Sequence, residues 1–333
     1  MRTLATTIAV AAVTLLSGAV QAQGNSAPTN GNLPKGALPT SWDPTYNVCR
    51  GVDPGCYHDW AEASRQNRVL IFSRTAGPRH ANLGPRLAAG LNPPLVAGNV
   101  VHNQLKAWLE AEGIAVDWTE DVTQLSGLNK YKAVIFASNS RDALFAHGRA
   151  IDPAFAVNTS TSAYLDSGKV NLRQYIRAGG GFVGIHNAFG TEYNWPWYEG
   201  LLGNANYYDH GANQDGTVQI VSPNDSATAG LPVRWPFKDE WYNLVPFPTN
   251  VKFLAVVDET TLATQRTTHP GHGRFHPVAW CQYYDGGRAF LTTLGHDGAA
   301  FTDGSGFPGQ AQFKSLLVNG IKSAMGLIPF CTS

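Results

Sequence analysis

Four short apolar runs in the first half of the chain each end in a polar loop, as buried parallel strands do. These runs are "RVLIFS" (68–73), "IAVDW" (114–118), "KAVIFAS" (132–138) and "GFVGI" (181–185). Between them, apolar residues recur at helical spacing over residues 101–109 and 172–176, and a glycine follows each segment. Strands that alternate with helices predict right-handed crossovers and a mostly parallel sheet with helices on both faces.

The second half changes character, because its apolar runs follow one another without helical patterns of equal length between them. These runs are "TVQIV" (217–221), "KFLAVV" (252–257), "PVAWCQYY" (277–284) and "RAFLTTLG" (288–295). The last two flank "DGG", which predicts a hairpin, and a closing helix is predicted over residues 313–325. The chain is therefore expected to have an α/β fold with an antiparallel extension, and residues 140–170 are expected to form a loop-rich insertion.

The first 22 residues have the three parts of a secretory signal peptide. Arg2 supplies the positive charge, residues 4–16 are apolar or small, and Val20 and Ala22 precede the expected cleavage point. The apolar run is too short to span a membrane. We therefore expect a secreted or periplasmic protein. Residues 23–65 are expected to form an extended arm that begins rich in Pro and Gly, and residues 66–333 one domain.

The four cysteines are expected to form disulfides, because their number is even and the protein is expected to be exported. Three pairings are possible. We favour Cys49–Cys56, which closes the short loop "CRGVDPGC", and Cys281–Cys331, which ties the C-terminal tail to a strand. A metal-binding or nucleophilic cysteine is less favoured, since the sequence contains no C-x-x-C motif or Cys/His cluster.

The charge balance argues against two classes of partner. The sequence has 24 basic and 24 acidic residues and a pI near 7.1, whereas nucleic acids and anionic membrane surfaces select for a basic face. We therefore expect neither nucleic acid nor a membrane as the main partner.

Polar residues follow the predicted strands at the ends where open α/β sheets bind their ligands. They are His80 after the first strand, Ser138 and Asn139 after the third, His186, Asn187, Thr191 and Glu192 after the fourth, and His296 and Asp297 after the last. If Asp285 and Gly286 form the hairpin turn, paired residue numbers add up to 571 and His276 lies opposite Gly295. His80, His186, His276 and His296 are therefore expected to share a cleft.

Simpler structural interpretations compete with this one. A single histidine after a strand is more often a hydrogen-bonded loop residue than a catalyst. The aromatic stretch "TEYNWPWYEG" (191–200) is also typical of packing, and "DEWYN" (239–243) of a solvated turn with an aromatic beneath it. The sequence has no G-x-S-x-G or P-loop motif, which argues against a serine hydrolase elbow, and the glycine run 179–181 is too slight to indicate a phosphate loop.

Long blocks of the sequence resemble the ThuA-like (trehalose utilisation) family. The blocks are "VLIFSRTAGPRH", "IRAGGGFVGIHNAFGTEYNWPWYEGLLG", "DEWYN", "HPVAWCQYYDGGRAFLTTLGHD" and the closing helix, in that order over about residues 66–326. The resemblance implies a flavodoxin-like core similar to class I glutamine amidotransferases. Those enzymes carry a cysteine nucleophile on the turn where this chain has His186, so a thiol mechanism is not expected here.

The resemblance also implies which residues form the site and what they bind. The polar positions shared with the family are His80, His186, Glu192, Glu240, His276 and His296, and the shared aromatic positions are Trp195, Trp197, Tyr198 and Trp241. Relatives commonly have a His-Pro pair where this chain has "YYDHGAN", so no role is implied for His210. The substrate implied is a sugar, either a disaccharide or oligosaccharide or its keto derivative.

Three hypotheses for function remain open. The first is a sugar hydrolase, lyase or isomerase that uses acid–base chemistry, with His186, Glu240, Glu192 and His296 as catalytic residues. Its substrate-binding residues would be His80, Asn187, Trp195, Trp197, Trp241 and His276. The second is a hydrolase with a divalent metal, zinc by ligand type, bound among His80, His186, His276 and His296. The third is a carbohydrate-binding protein without turnover.

Overall fold

The structure is a computed structural model that describes residues 41–145, 167–264 and 268–332. The expected signal peptide, the first part of the arm and most of the expected insertion lie outside the described residues. The strands are β1 (Trp42–Asp43), β2 (Val48–Gly51), β3 (Gln66–Phe72), β4 (Ala115–Thr119), β5 (Tyr131–Ala137), β6 (Gly181–Ile185), β7 (Tyr207–Ile220), β8 (Arg234–Leu244), β9 (Lys252–Val257), β10 (His276–Tyr284) and β11 (Gly287–Thr292). The helices are α1 (Val100–Ala111), α2 (Ser167–Arg177), α3 (Pro196–Leu201), α4 (Gly298–Phe301) and α5 (Gln310–Ala324).

The parallel half of the sheet confirms the predicted flavodoxin-like core. Its strands lie in the order β4-β3-β5-β6-β11, and each neighbouring pair is parallel. Numbered along the chain, this is the order 2-1-3-4-5 of flavodoxin-like sheets. All five residues of β6 are buried, which explains why this strand reads as a continuous apolar run rather than an alternating one.

Helices cover both faces of this half of the sheet. Because side chains alternate across each strand, every strand contributes apolar residues to both faces. In β3, Val69 and Ile71 belong to the apolar cluster that includes residues of α1 and α5. The intervening Leu70 and Phe72 belong to a second cluster, which includes residues of α2 and α3. The sheet therefore separates two hydrophobic cores and leaves the carboxyl ends of its strands for loops.

The antiparallel half continues the sheet in the order β11-β10-β9-β7-β8. The pairing of Tyr284 with Gly287 confirms the predicted hairpin register. The interpretation of residues 239–243 as a solvated turn is wrong, because "DEWYN" lies within β8 and pairs with β7 over a long ladder. The strand predicted over residues 217–221 corresponds only to the end of β7, which begins at Tyr207. The first half of β7 is polar, so no apolar run marks it in the sequence.

Part of the segment expected to be an extended arm forms a small hairpin. β1 and β2 pair with each other, and β2 then pairs with β10 through Gly51 and Tyr283. The disulfides Cys49–Cys56 and Cys281–Cys331 are both present, which confirms the favoured pairing. Among the described residues, no helix is long and apolar enough to cross a membrane.

Removing the Cys49–Cys56 disulfide is expected to lower the free energy of unfolding by about 2 to 3 kcal/mol. The two cysteines are only seven positions apart, and the entropy that a cross-link removes from the unfolded chain grows with the size of the loop. Urea unfolding of the double variant Cys49→Ala/Cys56→Ala checks this. An unchanged stability would show that the β1–β2 hairpin contributes little to the folded state.

Candidate functional site

His186 lies on the turn directly after β6, where the parallel strands end. Its backbone φ is +51°, a left-handed conformation that is costly for a residue with a side chain. The turn continues as a short 3₁₀ segment, and the imidazole is fully buried. A strained residue at the end of a central strand is a frequent feature of functional sites, so the position itself points to function.

Three histidines and one glutamate converge at this end of the sheet. His186 Nε2 lies 3.1 Å from His80 Nε2 and 3.7 Å from Glu240 Oε2. Glu240 Oε2 also lies 3.9 Å from His80 Nε2 and 3.1 Å from His296 Nδ1. Four segments that are distant in the sequence supply these groups, and three of the four side chains are partly exposed, so the site opens to solvent.

The hydrogen bonds of His186 determine which of its nitrogens is available. Nδ1–H donates to the carbonyl of Thr293 at 2.8 Å, so Nε2 carries the lone pair of the neutral ring. Burial lowers the pKa of His186 well below its ordinary value, and the charge of a protonated His80 would lower it further. His186 is therefore a neutral ring whose Nε2 lone pair faces His80, Glu240 and the Tyr242 hydroxyl.

In Glu240 and in His296, unlike in His186, a neighbouring group outweighs the effect of burial on the pKa. Burial alone would raise the pKa of Glu240, but the imidazoles of His296 and His80 hold it well below its ordinary value. Burial alone would lower the pKa of His296, yet the Glu240 carboxylate beside it raises the pKa. The cluster thus holds a firmly ionised carboxylate among imidazoles, a set of donors suited to a divalent cation or to proton transfer.

The spacing of the four atoms fits a transition metal. Ligand atoms at about 2.0 to 2.2 Å from a tetrahedral zinc ion lie about 3.3 Å apart, and the four atoms here all lie within 4.8 Å of one another. His296 Nδ1 is buried and has no hydrogen-bond partner among the described residues, although Glu240 Oε2 is 3.1 Å away.

Tyr242 and His210 border the cluster on the strand side. The Tyr242 hydroxyl donates to His186 Nε2 at 2.9 Å, and burial raises its pKa well above the ordinary value. His210 lies on β7, is partly exposed, and its Nε2 is 3.5 Å from Glu240 Oε2. His210, to which the sequence comparison assigned no role, therefore lies at the site.

Asp239 joins the two backbone segments that carry His296 and Glu240. Its carboxylate accepts hydrogen bonds from the backbone N–H groups of Gly295, His296 and Glu240, at 2.7, 3.3 and 2.8 Å. Burial raises the pKa of Asp239 to about 7 in spite of these bonds. The carboxylate ties β8 to the turn that carries His296, so it sets the distance between His296 and Glu240.

The structure does not bring His276 into the cluster, which corrects the expectation that four histidines share it. Its Nδ1 lies 2.7 Å from Glu259 Oε1, and its Nε2 lies 2.8 Å from the backbone carbonyl of Tyr242. Both ring nitrogens are used, and the ring is buried. The predicted hairpin pairing gave the register of β10 correctly, but Glu259, in the turn after β9, and Tyr242 of β8 bind the His276 side chain.

The aromatic residues expected to bind sugar lie outside the cluster of three histidines and Glu240. Trp197 is buried, and its Nε1–H donates to Asp285 at 2.8 Å in the β10–β11 turn. That turn is at the opposite end of β11 from the cluster, about 20 Å away for a six-residue strand. Trp195 stacks on Trp197, with ring centroids 4.8 Å apart. Trp241 is buried in the core, and its Nε1–H donates to the carbonyl of Gln214.

Asn187 and Glu192 also have structural partners. The Asn187 amide donates to the backbone carbonyl of Asn139 at 2.7 Å and so joins the ends of β6 and β5. Glu192 accepts the backbone N–H of Leu144 at 2.8 Å and pairs with Lys169 at 3.1 Å. Glu192 therefore holds α2 and the loop after β5 together and is not part of the cluster.

Glu192→Gln is expected to change how stability depends on pH. Burial raises the pKa of Glu192 to about 7, although Lys169 and the Leu144 N–H act against this. The folded state therefore binds the proton more tightly than the unfolded state. The resulting stabilisation is complete below about pH 4.5 and is lost as the pH rises through about 7, a change of about 3 kcal/mol.

The variant lacks this titration, so its unfolding free energy should rise relative to the natural protein between pH 4.5 and 7.5. Urea unfolding at several pH values measures the difference. Glu110→Gln serves as the control, because Glu110 is exposed on α1. Parallel pH profiles for Glu192→Gln and the natural protein would contradict the raised pKa.

Three residues of the site, Asp239, Tyr242 and His210, were not found from the sequence. One available pattern would have found Tyr242. Residues two apart on a strand share a face, so interpreting "DEWYN" as a strand would have placed Tyr242 beside Glu240. No comparable pattern points to Asp239, whose role depends on the approach of a turn that is 56 positions away along the chain.

Comparisons with known proteins agree with the fold and with the family resemblance. Residues 68–324 match the family ThuA, described as trehalose utilisation. A ThuA-like protein from Bacteroides uniformis is 19% identical with a TM-score of 0.55, over 78% of this chain and 91% of that one. A ThuA-like protein from Parabacteroides merdae is 19% identical with a TM-score of 0.51, over 78% and 89%. No curated relative matches the sequence. Since the family match covers most of the sequence, the chain belongs to the ThuA, or trehalose utilisation, family.

Proposed function

We propose that this protein is an exported, carbohydrate-active enzyme whose centre is a divalent metal site formed by His80, His186, Glu240 and His296. The observation that carries the proposal is the convergence of three imidazole nitrogens and one carboxylate oxygen within 4.8 Å. Such a donor set is typical of zinc. The site stands at the carboxyl end of a parallel sheet, where α/β proteins bind their ligands.

The surroundings of the four side chains support a bound cation. His186 has its Nδ1–H fixed by a backbone carbonyl, which orients the ring as the outer partners of metal-binding histidines do. Asp239 accepts hydrogen bonds from the backbone N–H groups of His296 and Glu240 and so fixes the segments that carry both side chains. The ionised Glu240 supplies negative charge against the charge of the cation.

The sugar substrate is supported by the family description, which refers to trehalose utilisation. We propose a disaccharide or oligosaccharide, or its keto derivative, as the substrate class. A divalent metal would polarise a carbonyl or hydroxyl oxygen of such a sugar. The reaction would be hydrolysis, elimination or isomerisation next to the polarised oxygen.

Two residues beside the cluster, His210 and Tyr242, would assist the reaction in different ways. His210 Nε2 lies 3.5 Å from Glu240 and is partly exposed, so it would accept a proton from a bound sugar. The Tyr242 hydroxyl would stay protonated, because burial raises its pKa, and it would orient His186 through the hydrogen bond that it donates to Nε2. The same two groups would serve if the cluster works by acid–base chemistry without a metal.

The test combines metal analysis with turnover. Full-length protein made without a His-tag is expected to bind about one zinc per chain and to convert trehalose or 3-keto-trehalose, with chelators stopping turnover and zinc restoring it. Less than about a tenth of an equivalent of zinc, with turnover that survives chelators, would favour acid–base chemistry alone. Sugar binding without any turnover would instead support a carbohydrate-binding protein.

A further inference from the structure

His276 and Glu259 form a buried pair that lies beside the cluster without belonging to it. His276 begins β10, and Glu259 lies in the turn after β9. Both side chains are almost fully buried, and His276 Nδ1 is 2.7 Å from Glu259 Oε1. Neither residue takes part in the proposed chemistry, and burying two ionisable groups is costly, so the pair requires an explanation of its own.

The hydrogen bonds of the pair determine its charge. His276 Nε2 lies 2.8 Å from the carbonyl of Tyr242, and because a carbonyl only accepts, Nε2 carries a proton. Glu259 also accepts the backbone N–H groups of His272 and Gly273, at 2.6 and 2.7 Å. Burial acts to raise the pKa of Glu259, but these bonds and His276 hold it below its ordinary value. Nδ1 therefore donates to an ionised carboxylate, and His276 is a buried imidazolium.

The pair binds the open edge of β8. In the described part of the chain, β8 is the last strand of the sheet, so one side of its backbone has no neighbouring strand. The Tyr242 carbonyl accepts His276 Nε2–H, and the N–H of Leu244 donates to His272 Nε2 at 3.1 Å. In a strand, the carbonyl of one residue and the N–H of the residue two positions further on point to the same side. Two imidazoles thus take the place of a partner strand, and Glu259 binds the residues that carry both.

The part of β8 that is held in this way carries two side chains of the site. The Tyr242 hydroxyl donates to His186 Nε2 at 2.9 Å, and Glu240, two positions earlier, lies on the same face of the strand. The position of this backbone therefore sets where the hydroxyl meets His186 and where Glu240 Oε2 meets the three imidazoles. A displacement of about 1 Å at a catalytic group can lower the rate about a hundredfold.

We propose that His276 and Glu259 are positioning residues of the centre, because the buried imidazolium fixes the Tyr242 carbonyl and so places the Tyr242 hydroxyl against His186. Gly271 is part of the same arrangement, since a Cβ there would lie 2.5 Å from Glu259 Oε2 and its φ is +81°. The inference rests on the proposed function for its effect on turnover. Its effect on the hydrogen bonds of Tyr242 and His186 can be tested without a metal or a substrate.

The experiment compares two substitutions of His276 that each keep one of its hydrogen bonds. The amide nitrogen of Gln reaches about as far as Nε2, and that of Asn about as far as Nδ1. His276→Gln therefore keeps the donor to Tyr242, and His276→Asn keeps the donor to Glu259. NMR of full-length, metal-free protein follows the ring nitrogens of His186 and His276 and the hydroxyl proton of Tyr242.

In the natural protein, both ring nitrogens of His276 are expected to be protonated, and the Tyr242 hydroxyl proton is expected to exchange slowly with water. His276→Asn should lose this slow exchange and shift the resonance of His186 Nε2, whereas His276→Gln should keep both signals. In zinc-loaded protein with trehalose or 3-keto-trehalose, His276→Asn should lower kcat at least about tenfold with KM within about twofold, and His276→Gln should restore most of kcat.

His58→Gln is the matched control. His58 is a buried histidine whose Nδ1–H donates to the carbonyl of Arg177, and its backbone binds Gly286 in the turn at the other end of β10. This variant also loses a hydrogen bond from a buried ring to a carbonyl, but it should leave the His186 and Tyr242 signals unchanged. If His276→Asn fails to fold, Glu259→Gln, which removes the charge of the partner, should shift the same signals.

Three results would overturn the proposal: an unprotonated ring nitrogen on His276 in the natural protein, natural His186 and Tyr242 signals in His276→Asn or in Glu259→Gln, or equal losses in His276→Asn and His276→Gln. The expected NMR results in a protein that turns over neither sugar would support the positioning role and count against the proposed function instead.

Discussion

Replacing Glu240 with Gln is expected to weaken zinc binding at least about a hundredfold and to lower kcat/KM by at least the same factor. The side chain keeps its size and exchanges a carboxylate for a neutral amide. Changes to the outer partners of metal ligands alone cost about 10- to 100-fold in affinity, and Glu240 Oε2 is itself one of the four converging atoms. The loss of the only carboxylate in that group is therefore expected to have the larger effect.

A second readout of the same variant needs no metal. The Glu240 carboxylate raises the pKa of His296, so this imidazole should titrate at a lower pH in metal-free Glu240→Gln, as followed by NMR. Glu110→Gln is the control, because Glu110 is exposed on α1 and pairs only with Lys106 among the described residues. Natural zinc affinity and natural turnover in Glu240→Gln would refute the proposed centre.

The parallel core was predictable because burial on both faces leaves a plain trace in the sequence. A strand such as β6 is apolar throughout, and a helix such as α1 repeats its apolar residues every three to four positions. β8 and the first half of β7 were missed for the opposite reason. They form a ribbon with polar residues on exposed and site-lining positions, so no apolar run marks them.

The site was only partly predictable, because the sequence indicates where strands end but not which elements pack against one another in the fold. His80, His186 and His296 were found since each follows a strand of the parallel core. His276 was placed with them by hairpin pairing, yet its ring is bound by Glu259 on the neighbouring element. The tryptophans were assigned to sugar because the family resemblance implied them, and a shared aromatic position does not distinguish a binding platform from a core position.

Trp197→Ala is expected to lower the free energy of unfolding by about 3 to 5 kcal/mol, the range for truncating a buried tryptophan, and to leave the proposed metal site intact. The indole packs against Tyr284, with ring centroids 5.5 Å apart, and its N–H donates to the buried Asp285. Truncation leaves a cavity and removes one of the partners of that carboxylate. Urea unfolding measures the stability, and zinc titration measures the site.

The same variant separates a packing residue from a sugar platform. Because Trp197 lies at the far end of β11, kcat and KM should stay within about twofold of the natural values under conditions where the variant is folded. Trp195→Ala should show a smaller loss of stability, since that ring is only half-buried. A KM raised at least about tenfold with unchanged stability would restore the sugar-binding role that the sequence suggested for Trp197.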